Sequence, residues 1–179
     1  NTVYAQLTEL IRPQAVAQMA RRLGIQSPIK GYFSVTLGGE AVNPLEMARA
    51  FATFANGGQR IDGALMRNVP RAVLSVGKKK NIPIPRQALG ANQAAIVTRR
   101  LQGVVESGTG KRAQLSDGRA VAGKTGTTEN YGDAWFVGFT PELLTVVWVG
   151  LDDNQPLGMS GAQAALPIWT AFMKNALQG

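Results

Sequence analysis

The chain has 179 residues, 45% of them hydrophobic, with 19 Lys and Arg against 11 Asp and Glu and a formal net charge of +8. It contains neither Cys nor His. That excludes disulfides, thiolate or imidazole metal ligands, and any catalytic triad using a histidine of this chain.

Any proton transfer by its own side chains falls to Lys, Asp, Glu or Tyr. No apolar run approaches the roughly 18 residues of a membrane span, and no signal-peptide pattern is visible. The chain opens on Asn1 rather than Met, and it reads as a piece of something longer. The positive charge suits an anionic partner. However, Lys78-Lys79-Lys80, the only dense run, has no aromatic residues interleaved and no recognition motif beside it. No nucleic-acid partner is expected.

In chain order, Val16, Met19, Ala20 and Leu23 recur at helical spacing, and Gly24 stands where a helix C-terminus is capped. A second helix start is written in Asn43-Pro44-Leu45-Glu46. There Asn43 caps, Pro44 takes the first helical position, and Glu46 is placed to bond back to the cap. Leu45, Ala48, Phe51, Ala52 and Ala55 form its expected apolar face, and Asn56-Gly57-Gly58 stops it. Residues 59–90, with Pro70, Pro83 and Pro85, predict loops with a short hairpin near Ala72 to Val76, in the manner of an insertion. A third helix fits Asn92 to Glu106, with Ile96, Val97, Leu101, Val104 and Val105 as its stripe, ended by Ser107-Gly108-Thr109-Gly110.

The period then changes. Ala134 to Thr140 and Leu143 to Gly150 are Val-, Phe- and Trp-rich strand candidates, joined by a turn at Thr140-Pro141-Glu142. Both are apolar on both faces, which predicts central strands of a covered sheet. Residues 164–177 predict a closing helix with Ile168, Trp169, Phe172, Met173 and Ala176 inward. The expected fold class is α+β, an antiparallel sheet covered by helices.

Two motifs compete for one lysine. Gly118 to Thr125 spells G-x-x-x-x-G-K-T, the phosphate-binding loop, while Lys124 to Thr127 spells K-T-G-T. A phosphate loop needs a buried strand before it and a helix after it. Lys111 to Asp117 is polar, and the Thr- and Gly-rich stretch after Lys124 is poor helix. The alternative makes Val121 to Thr128 an extended edge strand, able to bind a peptide as an added strand. Gly126 then allows close backbone approach, and Thr125 and Thr127 share a face. With the charge of Lys124 they suit a terminal carboxylate, and a free Thr127 N–H suits half of an oxyanion hole.

Around this strand the chain resembles the transpeptidase domain of class A penicillin-binding proteins. The similarity rests on an ordered set: "NTVYAQL" at the start, "NPLEMARAFATFANGG" at 43–58, "VVESGTGKRA" at 104–113, "VAGKTGTTENYGDAWFVGFTP" at 121–141 and "TVVWVGLDDNQP" at 145–156. It covers most of the chain except residues 59–90.

The resemblance implies a penicillin-binding, serine β-lactamase-like fold and the motifs S-x-x-K, S-x-N and K-T-G. It makes Lys124, Thr125, Gly126 and Thr127 the third motif, with Lys124 setting charge and proton affinities. The two hydroxyls would hold substrate carboxylate, and the Thr127 amide would help form the oxyanion hole. Asn1 becomes the Asn of the second motif, and the nucleophilic serine lies upstream. The implied activity is D,D-transpeptidation of peptidoglycan stem peptides ending in D-Ala-D-Ala, with β-lactams as acylating inhibitors. The N-terminal half of the same domain is the expected partner, on the outer face of the cytoplasmic membrane behind an upstream anchor. A catalytically silent wall-peptide-binding piece of the same fold is the rival reading.

Two other S-x-x-K strings, Ser27 to Lys30 and Ser75 to Lys78, lack helical context and follow the second motif. They are taken as chance. Trp135, Phe136, Phe139 and Trp148 are expected in the sheet core, and Phe51 with Phe54 in helix packing. Asp152-Asp153-Asn154 reads as a strand-end turn rather than a Ca²⁺ loop, and Asp133 as a structural hydrogen-bonder. No metal or cofactor is expected.

Overall fold

The computed structural model describes residues 2–66 and 68–178. Their contacts divide the chain into two compact units, Asn1–Gly90 and Ala91–Gly179.

The first unit begins with helices α1 (Thr2–Ile11) and α2 (Pro13–Leu23). Gly24 ends α2 at φ 111°, and its N–H reaches the Ala20 and Arg21 carbonyls. A glycine is needed here for its left-handed backbone. Ala17, Leu23, Ile25, Ile29 and Ala50 form the unit's core, with Met19 and Ala20 against it. Helix α3 (Pro44–Ala55) starts as expected, with the Asn43 side chain accepting from the Leu45 N–H at 2.8 Å.

Two expectations for α3 are corrected. The Glu46 carboxylate does not return to the cap. It accepts from the Gln26 and Ser27 amides at 3.1 and 3.0 Å and from the Ser27 hydroxyl at 2.7 Å. Burial alone would raise the Glu46 pKa, but these donors hold it below the usual carboxylate range. The buried face is also rotated: Arg49, Ala50 and Thr53 point inward, while Leu45 is 54% exposed. The reason is electrostatic. Arg49 pairs with buried Asp62, which also takes both Arg60 nitrogens at 3.0 Å, so the helix presents its arginine to the interior.

Asp62 lies on β1 (Gln59–Gly63), which pairs antiparallel with β4 (Pro83–Gln87). Between them β2 (Ser75–Val76) and β3 (Lys79–Lys80) form a small hairpin. Residues 59–90 therefore hold more strand than the prolines suggested, and the hairpin sits a few residues beyond its expected place. Buried Asn81 ties it down, accepting from the Leu65 N–H at 2.9 Å and donating to the Val73 carbonyl at 2.8 Å.

The second unit opens with α4 (Ala91–Ser107), followed by β5 (Ala122–Thr127), β6 (Asp133–Phe139), β7 (Leu144–Gly150) and α5 (Ala165–Ala176). The strands form one antiparallel sheet in the order β5-β6-β7. Phe136 and Trp169 meet edge to face at 5.2 Å, in a core with Val105, Leu115, Leu166 and Met173. The Trp169 indole N–H donates to the Gly138 and Thr145 carbonyls, both at 3.2 Å. A side chain on Gly138 would collide with that indole.

The sequence expectations need three corrections here. β6 is central, but among the described residues β7 has a strand neighbour on one side only. α4 turns only Ala94 and Val105 fully inward, and Ile96 is exposed. On α5 the buried residues are Ala165, Leu166, Trp169 and Met173, whereas Ile168 and Phe172 are about half exposed. Apolar side chains surround α5, so periodicity alone does not select the inward stripe.

Candidate active site

Lys124 lies in the middle of β5, with no helix following it. That geometry removes the phosphate-loop reading, because the amides that would cradle phosphate belong to a strand. β5 has β6 as its only strand neighbour among the described residues. The Thr128 N–H donates to the Asp133 carbonyl at 3.1 Å. Antiparallel pairs alternate between bonded and non-bonded residues. The amides and carbonyls of Gly123, Thr125 and Thr127 therefore point away from β6, toward the free edge.

Side chains alternate across the same strand. Thr125 and Thr127 share the face of their partners Phe136 and Ala134, while Lys124 shares that of Val137. The Lys124 ammonium nevertheless reaches the edge, donating to the outward Thr125 carbonyl at 2.8 Å. The side chain touches solvent, but crowding around its ammonium lowers its pKa below the ordinary lysine value. Gly126 faces Trp135, whose Cβ would lie 3.1 Å from any side chain added there.

Each motif threonine has a partner. Thr125 Oγ1 lies 2.8 Å from Thr109 Oγ1, and Thr127 Oγ1 accepts the Gly161 N–H at 3.0 Å. Sequence reasoning missed both partners. Thr109 sat in a string read only as a helix stop, and Gly161 precedes the closing helix without a pattern of its own.

Beyond β5 the chain turns tightly. Asn130 and Tyr131 adopt φ of 56° and 58°, a region unfavourable for residues with side chains. Asp133 is the hydrogen-bonder expected: its N–H donates to Thr128 Oγ1 at 2.7 Å, and its carboxylate accepts the Trp148 indole N–H at 2.7 Å. Trp148 corrects another expectation. It is 42% exposed, tilted against Trp135 at 6.2 Å rather than in the core, whereas Phe136 and Phe139 are buried. Asp152 to Asn154 form the expected turn, with the Asn154 N–H on the Leu151 carbonyl.

Of the predicted site residues, Lys124, Thr125, Gly126 and Thr127 come together on one strand edge, and Asn1 lies outside the described residues. Neither accidental S-x-x-K string is helical. Ser27 is occupied by Glu46, and Ser75 and Lys78 lie in the β2–β3 hairpin.

A helix-covered antiparallel sheet with K-T-G-T on its edge strand defines the penicillin-recognising class. The family description "Penicillin binding protein transpeptidase domain" matches residues 1–174. Penicillin-binding protein 1A of Aquifex aeolicus is 37% identical over 97% of this chain, and that of Neisseria gonorrhoeae is 35% identical over 90%. The chain spans 24% and 21% of those two proteins.

Among crystal structures, penicillin-binding protein 1A from Haemophilus influenzae superimposes with a TM-score of 0.79 at 25% identity, over 99% of this chain and 33% of that one. The PonA1 protein from Mycobacterium tuberculosis in complex with penicillin V gives 0.71 at 28% identity, over 93% of this chain and 50% of that one. The chain belongs to the penicillin-binding protein transpeptidase domain family.

Proposed function

We propose that this chain is the C-terminal portion of a peptidoglycan D,D-transpeptidase domain whose nucleophilic serine lies upstream of Asn1. The observation that carries this reading is the free edge of β5. Its Thr127 amide faces outward, its threonine hydroxyls share one face, and a lysine ammonium stands at the same edge.

In the proposed reaction a stem peptide lies along this edge as an extra strand. The serine oxygen attacks the carbonyl of its penultimate D-Ala. Its proton passes to a base, which a lysine can supply in a site without histidine. The Thr127 N–H stabilises the oxyanion, and Thr125 and Thr127 hold the terminal carboxylate. Terminal D-Ala leaves with a proton, and an amine of a second stem then attacks the acyl-serine and restores the hydroxyl. β-Lactams acylate the same serine. The setting is the outer face of the cytoplasmic membrane, with an anchor and a glycosyltransferase domain upstream and the N-terminal half of the domain as partner.

The test is covalent labelling with a fluorescent penicillin. The intact protein takes one label, and this chain alone takes none. Persistent failure of correctly folded intact protein to label would sink the enzyme reading, and an adduct on Ser27 or Ser75 would overturn the motif assignment.

A further inference from the structure

We propose that the Thr109 hydroxyl and the Gly161 amide are positioning groups that feed hydrogen bonds into Thr125 and Thr127 from behind, so that both hydroxyls present their protons to a carboxylate. This rests on the transpeptidase reading of the β5 edge and extends it to residues outside the K-T-G-T motif.

A hydroxyl has one proton and two acceptor lone pairs, whereas a carboxylate only accepts. Left to itself, a threonine hydroxyl rotates and meets an anion in either sense. The Gly161 N–H can only donate, so at 3.0 Å it fixes Thr127 Oγ1 as an acceptor and leaves the threonine proton free to point elsewhere. At Thr125 the 2.8 Å contact with Thr109 runs in either direction. An anion in front of Thr125 decides it: Thr125 donates forward and Thr109 donates into Thr125. Chained hydrogen bonds of this kind strengthen one another.

The supports are rigid. The Gly108 and Gly110 N–H groups both bond to the Val104 carbonyl, at 3.1 and 3.0 Å, holding the Thr109 loop on the end of α4. Gly161 is fixed by the Ala165 and Leu166 N–H groups on its carbonyl. Thr109 is exposed and carries none of the core, so its place beside Thr125 is not explained by packing.

The experiment compares acylation of the intact protein by benzylpenicillin and by its methyl ester, which lacks the anionic acceptor. Thr109→Val is expected to lower the acid-to-ester ratio of second-order acylation rates by about fivefold, the scale of one hydrogen bond. Thr109→Ser restores the ratio, and thermal melting checks the fold. If Thr109→Val does not fold, Thr109→Ala is read in its place. A ratio equal to wild type, an equal slowing with acid and ester, or a Thr109→Ser as impaired as Thr109→Val would overturn the proposal. Wild-type protein that neither reagent acylates would overturn the transpeptidase reading itself. Acylation of wild type with no preference for the acid would overturn only the carboxylate role.

Discussion

Lys124 combines two demands that ordinarily conflict. Its ammonium reaches the outward carbonyl of Thr125, yet the surrounding atoms displace enough water to lower its pKa. Its proton should therefore be lost at lower pH than that of a free lysine, whose value is about 10.4. NMR titration of the labelled ε-position is expected to show one lysine titrating below the rest, and its signal disappears in Lys124→Ala. The linkage has a definite sign. Between the lowered folded pKa and the ordinary unfolded one, the unfolded chain binds more protons, so this group's contribution to stability rises with pH through that window. On the transpeptidase reading, Lys124→Ala slows penicillin acylation of the intact protein on the order of a hundredfold, the scale of removing one electrostatic stabiliser. Stopped-flow measurement of acylation checks it.

At the scale of elements, the β1–α3 contact is the most exposed to a single change. Burial would raise the Asp62 pKa. Hydrogen bonds from Arg60 and Arg49, with their charges, outweigh it and hold the carboxylate below its ordinary 3.8. The stabilisation from this depressed pKa is present above the ordinary value and is lost as pH falls through the lowered one. Asp62→Asn leaves Arg49 buried and unpaired, and is expected to cost roughly 3–5 kcal/mol in urea unfolding and to flatten the acid side of the stability profile. Replacing Arg49 and Asp62 together by apolar residues of similar volume is expected to cost much less. In the second unit, a side chain on Gly161 would collide with the Gly126 and Trp135 carbonyls. Gly161→Ala should both lower the melting temperature and weaken acylation, because the collision pushes on the strand that carries the motif.

These elements also show what a sequence discloses. Cap and stop signals are local, so Asn43, Pro44 and Gly24 were legible where they stand. The inward stripes of α3 and α5 were not. Arg49 is drawn inward by a carboxylate thirteen residues away, and α5 has apolar residues on most sides, so the choice was made by neighbours distant in sequence. The strand pair β1–β4 was hidden by its prolines, which tolerate edge positions.

Across the whole molecule, K-T-G-T was readable because its chemistry lies in consecutive residues. Its supports at Thr109 and Gly161 were not, being separated by 16 and 34 residues from the hydroxyls they meet. The chain spans under a quarter of its curated relatives, and co-expression tests what the rest supplies. A separately encoded N-terminal half of the domain, added to this chain, is expected to restore penicillin labelling that neither piece shows alone, read by gel fluorescence.

Chain order adds one consequence. All three strands of the sheet precede α5, whose Trp169 and Met173 close over Phe136. During synthesis the ribbon therefore emerges with an oily flank bare, and it stays so until the final helix has left the ribosome. In that interval the nascent sheet is a natural client for chaperones, and a stop codon shortly before Ala165 would leave that flank permanently open to aggregation.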